Sequence, residues 1–250
     1  MSVQLIGVDC AVNPKDIGIA VGHYFDAEVE ISQLIVGRPR TVETIASVVD
    51  PKMPTLFAFD SPLGWPQSLA ERLADHQAGT AVGACPNHLF RRTTDRFIRH
   101  LVGKQPLEVG ADRIARTAVA SLNLIAELEE ALGSNIPLVW SPAELSSLGC
   151  IEVYPAATLE ACKLSSRGYK GKKPENFDAR SVLLESLSTR FQSDSGLLAE
   201  AKATDHGLDA MVCCLAAVHF LEGSCPPPQD LAVARREGWI WVKLPGSNSR

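Results

Sequence analysis

Several signatures are missing from this chain, and each absence narrows what it can be. No C-x-x-C pair occurs among its seven cysteines, which stand scattered at 10, 85, 150, 162, 213, 214 and 225. An odd, unpatterned set argues against a disulfide framework or zinc ribbon and fits reduced thiols in the cytosol. Cys85 and His88 have a ligand-like spacing, but no second pair completes it, and an ordinary loop is the preferred reading. No apolar run approaches the roughly 18 residues of a membrane span. The opening "MSVQLIGVD" enters a strand pattern without the basic flank of a signal peptide. A cytoplasmic protein with no membrane partner is expected. Basic charge is lacking too: the net charge of -5 excludes a generally basic, non-specific nucleic-acid binder, though not a local basic track. Internal repeats and low-complexity stretches are absent.

What is present is an ordinary globular composition, 46% hydrophobic over 250 residues, enough to bury a substantial core. Residues 3–9, 17–24 and 28–36 read as strands joined by short polar turns, an antiparallel meander. Residues 41–50 have helical spacing, with Thr41 as cap. TLFAF at 55–59 is apolar on both faces, as a central strand covered on each side would be. From 66 to about 133 the chain reads as helical, including a long amphipathic helix ended by Gly133. A strand over 150–154 follows, then helices near 156–163, 177–191 and 205–221, and a last strand-like run at 239–243. Residues 165–178 and 222–230 read as surface excursions. The order predicts one α/β domain spanning 1–250, its mixed five-stranded sheet flanked by helices, with a helical insertion around 66–133.

Acids mark the ends of these elements. Asp9 ends the first strand, and in "LFAFDSPLGWP" Asp60 ends the central one; Asp205 and Asp209 open the late helix "TDHGLDAMVCCLAAVHFL". Ligands of α/β sheets gather beyond the carboxyl ends of parallel strands. Acids four apart share a helix face. Asp205 alone reads equally well as a first-turn acid, and Asp60 as a turn residue before Ser61-Pro62. Asp209 is harder to dismiss, because it lies beside an apolar run where an unpaired carboxylate is costly. Carboxylates grouped this way repel one another and call for a hard cation, Mg²⁺ or Mn²⁺.

The strand order and these acids resemble the ribonuclease H-like fold of ribonuclease H, retroviral integrases and Holliday-junction resolvases. More closely, "GVDCA", "FAFDSPLGWP", "FRRTTDR", "IEVYPAATL", "DHGLDAMVCCLAA" and "EGWIWV" resemble a bacterial and archaeal domain-of-unknown-function family described as predicted ribonuclease H-like nucleases. The resemblance implies Asp9, Asp60 and Asp209 as metal ligands and catalytic acids, with Asp205 as a fourth. It also implies a water nucleophile and a nucleic-acid substrate, DNA or RNA. The two helix acids are four apart, where the resolvases usually have three.

Among other polar residues, Arg91 and Arg92 in "FRRTTDR" are candidate phosphate contacts, with Arg96 and Arg99 read as a solvated face. Glu152 in "CIEVYP" either joins the cluster from a neighbouring strand or faces solvent at an edge. His206, beside Asp205, is a candidate proton shuttle. The basic loop Arg167, Tyr169, Lys170, Lys172, Lys173 is read chiefly as solvated. Three functions compete: a metal-dependent nuclease, an ATP-binding phosphotransferase of the actin and sugar-kinase branch, and a non-catalytic binding module. Against the second, the chain has neither a second domain nor a glycine-rich adenosine loop. A homodimer stays open.

Overall fold

The computed structural model describes residues 2–83, 86–110 and 112–246. It opens with strands β1 (Val3–Asp9), β2 (Gly18–Phe25) and β3 (Glu28–Val36), paired antiparallel in sequence. Helix α1 (Thr41–Val48) carries the chain to β4 (Thr55–Asp60), which lies parallel to β1. Helices α2 (Gln67–Leu73), α3 (Pro86–Phe90), α4 (Thr93–Val102) and α5 (Asp112–Leu132) precede β5 (Leu148–Glu152), parallel to β4. Then come α6 (Pro155–Ala161), α7 (Pro174–Leu187), α8 (Ser195–Ala203), α9 (Asp205–Leu221) and α10 (Leu231–Glu237). The sheet order is β3-β2-β1-β4-β5, a mixed five-stranded sheet flanked by helices. Among the described residues no helix is long and apolar enough to cross a membrane.

The central strands are covered on both sides, which explains their continuous apolar runs. Leu5, Leu56 and Ala58 pack into one core with α9. Ile6, Val8, Phe57 and Phe59 pack on the opposite face with Ile45 of α1 and Leu124 and Leu128 of α5. Each of these leucine, isoleucine, valine and phenylalanine side chains, fully buried, contributes about 1.5–3 kcal/mol of transfer free energy.

Helix α9 is buried from Gly207 to Phe220 without a break. It lies on β1, β2 and β4, and α6, α7 and α8 pack against it. Its N-terminus is set by Thr204, whose side chain accepts from the His206 N–H. Two glycines let it come close. A Cβ at Gly7 would collide with the Ala210 carbonyl oxygen, and one at Gly18 with that of His206. The helix therefore rests backbone against backbone on β1 and β2.

Some expectations from sequence are corrected. Residues 239–243 form no strand; only a single bridge pairs Ile240 with Glu152, and the Trp241 N–H donates to the Glu152 carbonyl. β5 starts two residues earlier than predicted and ends two earlier, its end set by Tyr154, which becomes the N-cap of α6 with Pro155 in its first turn. Thr41 is inside α1 rather than its cap, and bonds back to the Arg38 carbonyl. Helices α8 and α10 were not predicted, being short and weakly patterned, although Asp194 and Asp230 cap them. Cys85 lies outside the described residues.

Because the obstacle at Gly7 is backbone, it cannot swing aside. Gly7→Val is expected to lower unfolding free energy by about 2–3 kcal/mol, the scale of core overpacking. Urea denaturation checks this, and an unchanged midpoint would mean that α9 is not seated as described.

Candidate metal centre

The parallel register places Asp9 directly beside Asp60 at the carboxyl ends of β1 and β4. Paired residues of a sheet share a face, and here it is the face that α9 covers. One turn into α9, Asp209 comes down onto the same spot, held there by the close seat at Gly7. Ligand oxygens of Asp9, Asp60 and Asp209 lie within 4.8 Å of one another. Three acids far apart in sequence thus meet in one volume.

Each neighbour orients one of these carboxylates. The Tyr169 hydroxyl donates to Asp209 Oδ1 at 2.7 Å, and Lys170 Nζ lies 2.7 Å from Asp209 Oδ2. His206 Nδ1 is 2.7 Å from Asp9 Oδ2, so an ionised Asp9 requires the hydrogen on Nδ1. Asp205 is not in the cluster; it accepts from the Gly171 N–H at 3.1 Å and so anchors the loop that carries Tyr169 and Lys170. Buried Arg180 braces that loop from beneath, donating to the carbonyls of Tyr169 and Gly171.

Crowding shows in the ionisation. Burial, with the charge of Asp209 adding to it, pushes the Asp9 carboxyl up to about 6 against the pull of the His206 bond. Burial and the charge of Asp9 hold Asp60 well above the usual carboxylate range. Burial opposes the charge on Lys170, but Asp209 and Asp60 outweigh it and raise its pKa. The Tyr169 hydroxyl is raised by burial and by Asp209, so it remains a donor. Buried hard oxygens that resist ionising together are the donor set a divalent cation relieves.

A second charged cluster lies alongside, and its geometry gives Arg92 and Glu152 partners other than those expected. All five Arg92 N–H donors are spent inside the protein, on Asp95, Glu152 and the Glu237 carbonyl. The expected phosphate contact from Arg92 therefore has no donor left. Glu152 neither joins the carboxylate cluster nor faces solvent; it pairs with Arg92 at 2.7 Å and accepts from the Leu63 N–H. Glu237 adds bonds to the N–H groups of Gln67 and Thr93. This knot fixes the segment following Asp60 against β5, α4 and α10. Arg91 is half-buried, tied to Glu108 at 2.9 Å and to the Pro106 carbonyl. Arg96 donates to the Arg91 carbonyl, and Asp95 serves Arg92 rather than Arg96.

Beside the carboxylates opens a cavity of about 550 Å³. Its lining includes the charged Asp9, Asp60, Lys104 and Lys170 and the less polar Pro106, Leu107, Ile114 and Tyr154. Sequence reasoning missed Tyr169 and Lys170 as site residues because polar loops usually stay solvated. The available signal was a tyrosine inside such a loop, between Gly168 and Gly171, both with positive φ.

The chain belongs to the family described as protein of unknown function, DUF429, whose model matches residues 7–232. No curated protein matches it, and no solved structure does.

Two outcomes follow from the charges. Removing Arg92 strands Asp95 and Glu152 without their cation, so Arg92→Met is expected to cost about 3–5 kcal/mol in chemical denaturation. The pH dependence has a definite sign. A carboxyl whose pKa rises on folding costs stability as it ionises, so without metal Asp9 removes stability as pH climbs from 3.8 through about 6. Asp60 continues the loss above that, and His206, raised by its bond to Asp9, contributes in the same direction. The urea midpoint of metal-free protein should fall across this window and flatten in Asp60→Asn.

Proposed function

We infer that this protein is a metal-dependent hydrolase of phosphodiester bonds in nucleic acid, built on a ribonuclease H-like domain. The observation that carries this reading is the convergence of Asp9, Asp60 and Asp209 within 4.8 Å at the carboxyl ends of two parallel strands and the start of one buried helix. The sheet, three antiparallel strands followed by two parallel ones, supports the fold to which the sequence is similar.

Mg²⁺ or Mn²⁺ suits the all-carboxylate donor set, and when bound it would activate water and neutralise charge on a phosphoryl oxygen. Asp9, Asp60 and Asp209 would hold it. Tyr169 fixes the rotamer of Asp209, His206 that of Asp9, and Asp205 the loop beneath Lys170. The cavity has room for a nucleotide unit, and its mixed lining offers apolar groups to pack a base and charged groups for a phosphate. DNA and RNA fit this description equally.

Purified protein with Mn²⁺ is expected to cleave at least one of a single-stranded, hybrid or branched substrate. Asp60→Asn should reduce the rate by more than about 100-fold, beyond the loss typical of a residue that only supports a ligand. Cleavage that survives this substitution removes the assignment. Calorimetry with Mn²⁺ separates a non-catalytic binding module, which would show no metal binding.

A further inference from the structure

Lys170 holds a position that a metal would need. Both oxygens of Asp209 are engaged, Oδ1 by the Tyr169 hydroxyl and Oδ2 by Lys170 Nζ, each at 2.7 Å. Hydroxyl and metal can share a carboxylate through different oxygens, whereas an ammonium on Oδ2 occupies a cation's place. The side chain of Lys170 is 57% exposed although its tip reaches a carboxylate only 2% exposed. It therefore enters from solvent and has room to withdraw.

Its backbone does not share that freedom. Tyr169 is fully buried, Arg180 bonds the carbonyls of Tyr169 and Gly171, and Asp205 takes the Gly171 N–H. The residue is pinned on either side, so motion is confined to the flexible four-carbon stem. A withdrawn ammonium stays at the rim of the cavity shared by Asp9, Asp60 and Lys104.

We propose that Lys170 is the resident cation of the metal-free carboxylate cluster and that a divalent ion displaces it from Asp209, freeing it to bind a phosphate oxygen of the substrate. This rests on the metal-centre reading above and assigns the exchange to a single side chain. The cluster is never left with three uncompensated acids, and the displaced charge is delivered where an anionic phosphate arrives.

The test reads the Lys170 amine itself, by its rate of acetylation in the wild-type protein followed by mass spectrometry, with exposed Lys172 as internal reference. The Lys170 rate should rise severalfold when Mn²⁺ saturates the site and fall again on adding adenosine 5′-monophosphate. Calorimetry on Lys170→Met should show Mn²⁺ binding tighter by about tenfold, the factor that relief of one competing charge interaction of roughly 1.4 kcal/mol supplies. Mn²⁺ binding with no change in Lys170 labelling, or with equal or weaker affinity in the variant, overturns the exchange. A labelling rise that the nucleotide does not reverse overturns the phosphate role. Wild-type protein that fails to bind Mn²⁺ would instead strike down the metal centre, a distinct result.

Discussion

The close seat of α9 on the sheet is the constraint that sets everything around it. At Gly7 and Gly18 a helix backbone touches strand backbone, with no side chain between. That contact sets how far Asp209 descends toward Asp9 and Asp60. Any spacer would widen the gap between helix and sheet and open the carboxylate cluster. Burial of α9 from Gly207 to Phe220 supplies the driving force, since a helix apolar on nearly every side, Asp209 and His219 apart, is stable only when covered.

The same burial makes the carboxylates costly. Dehydrated acids repel one another, and the protein answers with local partners: Tyr169, Lys170 and His206 around the cluster. The neighbouring knot of Arg92, Asp95 and Glu152 answers the same problem differently, by complete internal pairing. In one cluster every arginine donor is taken. The other buries Asp9 and Asp60 beside a third acid, so burial and mutual repulsion hold their carboxyls high, and the cluster could hold a metal ion.

Much of this was legible along the chain. Period-two and continuous apolar runs marked the strands, glycine and proline marked helix ends, and Asp9, Asp60, Asp205 and Asp209 stood out as acids where apolar segments stop or begin. The rest was hidden for identifiable reasons. Arg92 looks like a phosphate ligand in "FRRTTDR" because sequence does not reveal that Glu152, sixty positions on, takes its donors. Glu152 itself lies on the last strand of the sheet, yet the 239–243 segment covers it. Asp205 shares a helix face with Asp209 in projection, but at the first turn of α9 it reaches the Gly171 loop instead.

The family resemblance implied the trio Asp9, Asp60 and Asp209; the α/β class, the order of the five sheet strands and the presence of acids near element ends could be had from the chain alone. They follow from local periodicity and from the cost of burying charge, both readable over a few residues. Which charges are spent and which are left over emerged only when the chain was folded. Pairing depends on distances between segments as remote as Asp9 and His206 or Arg92 and Glu237, and no local pattern encodes those. For that reason an arginine that resembled a ligand became a buried strut, and a lysine in a seemingly solvated loop became the charge beside Asp209.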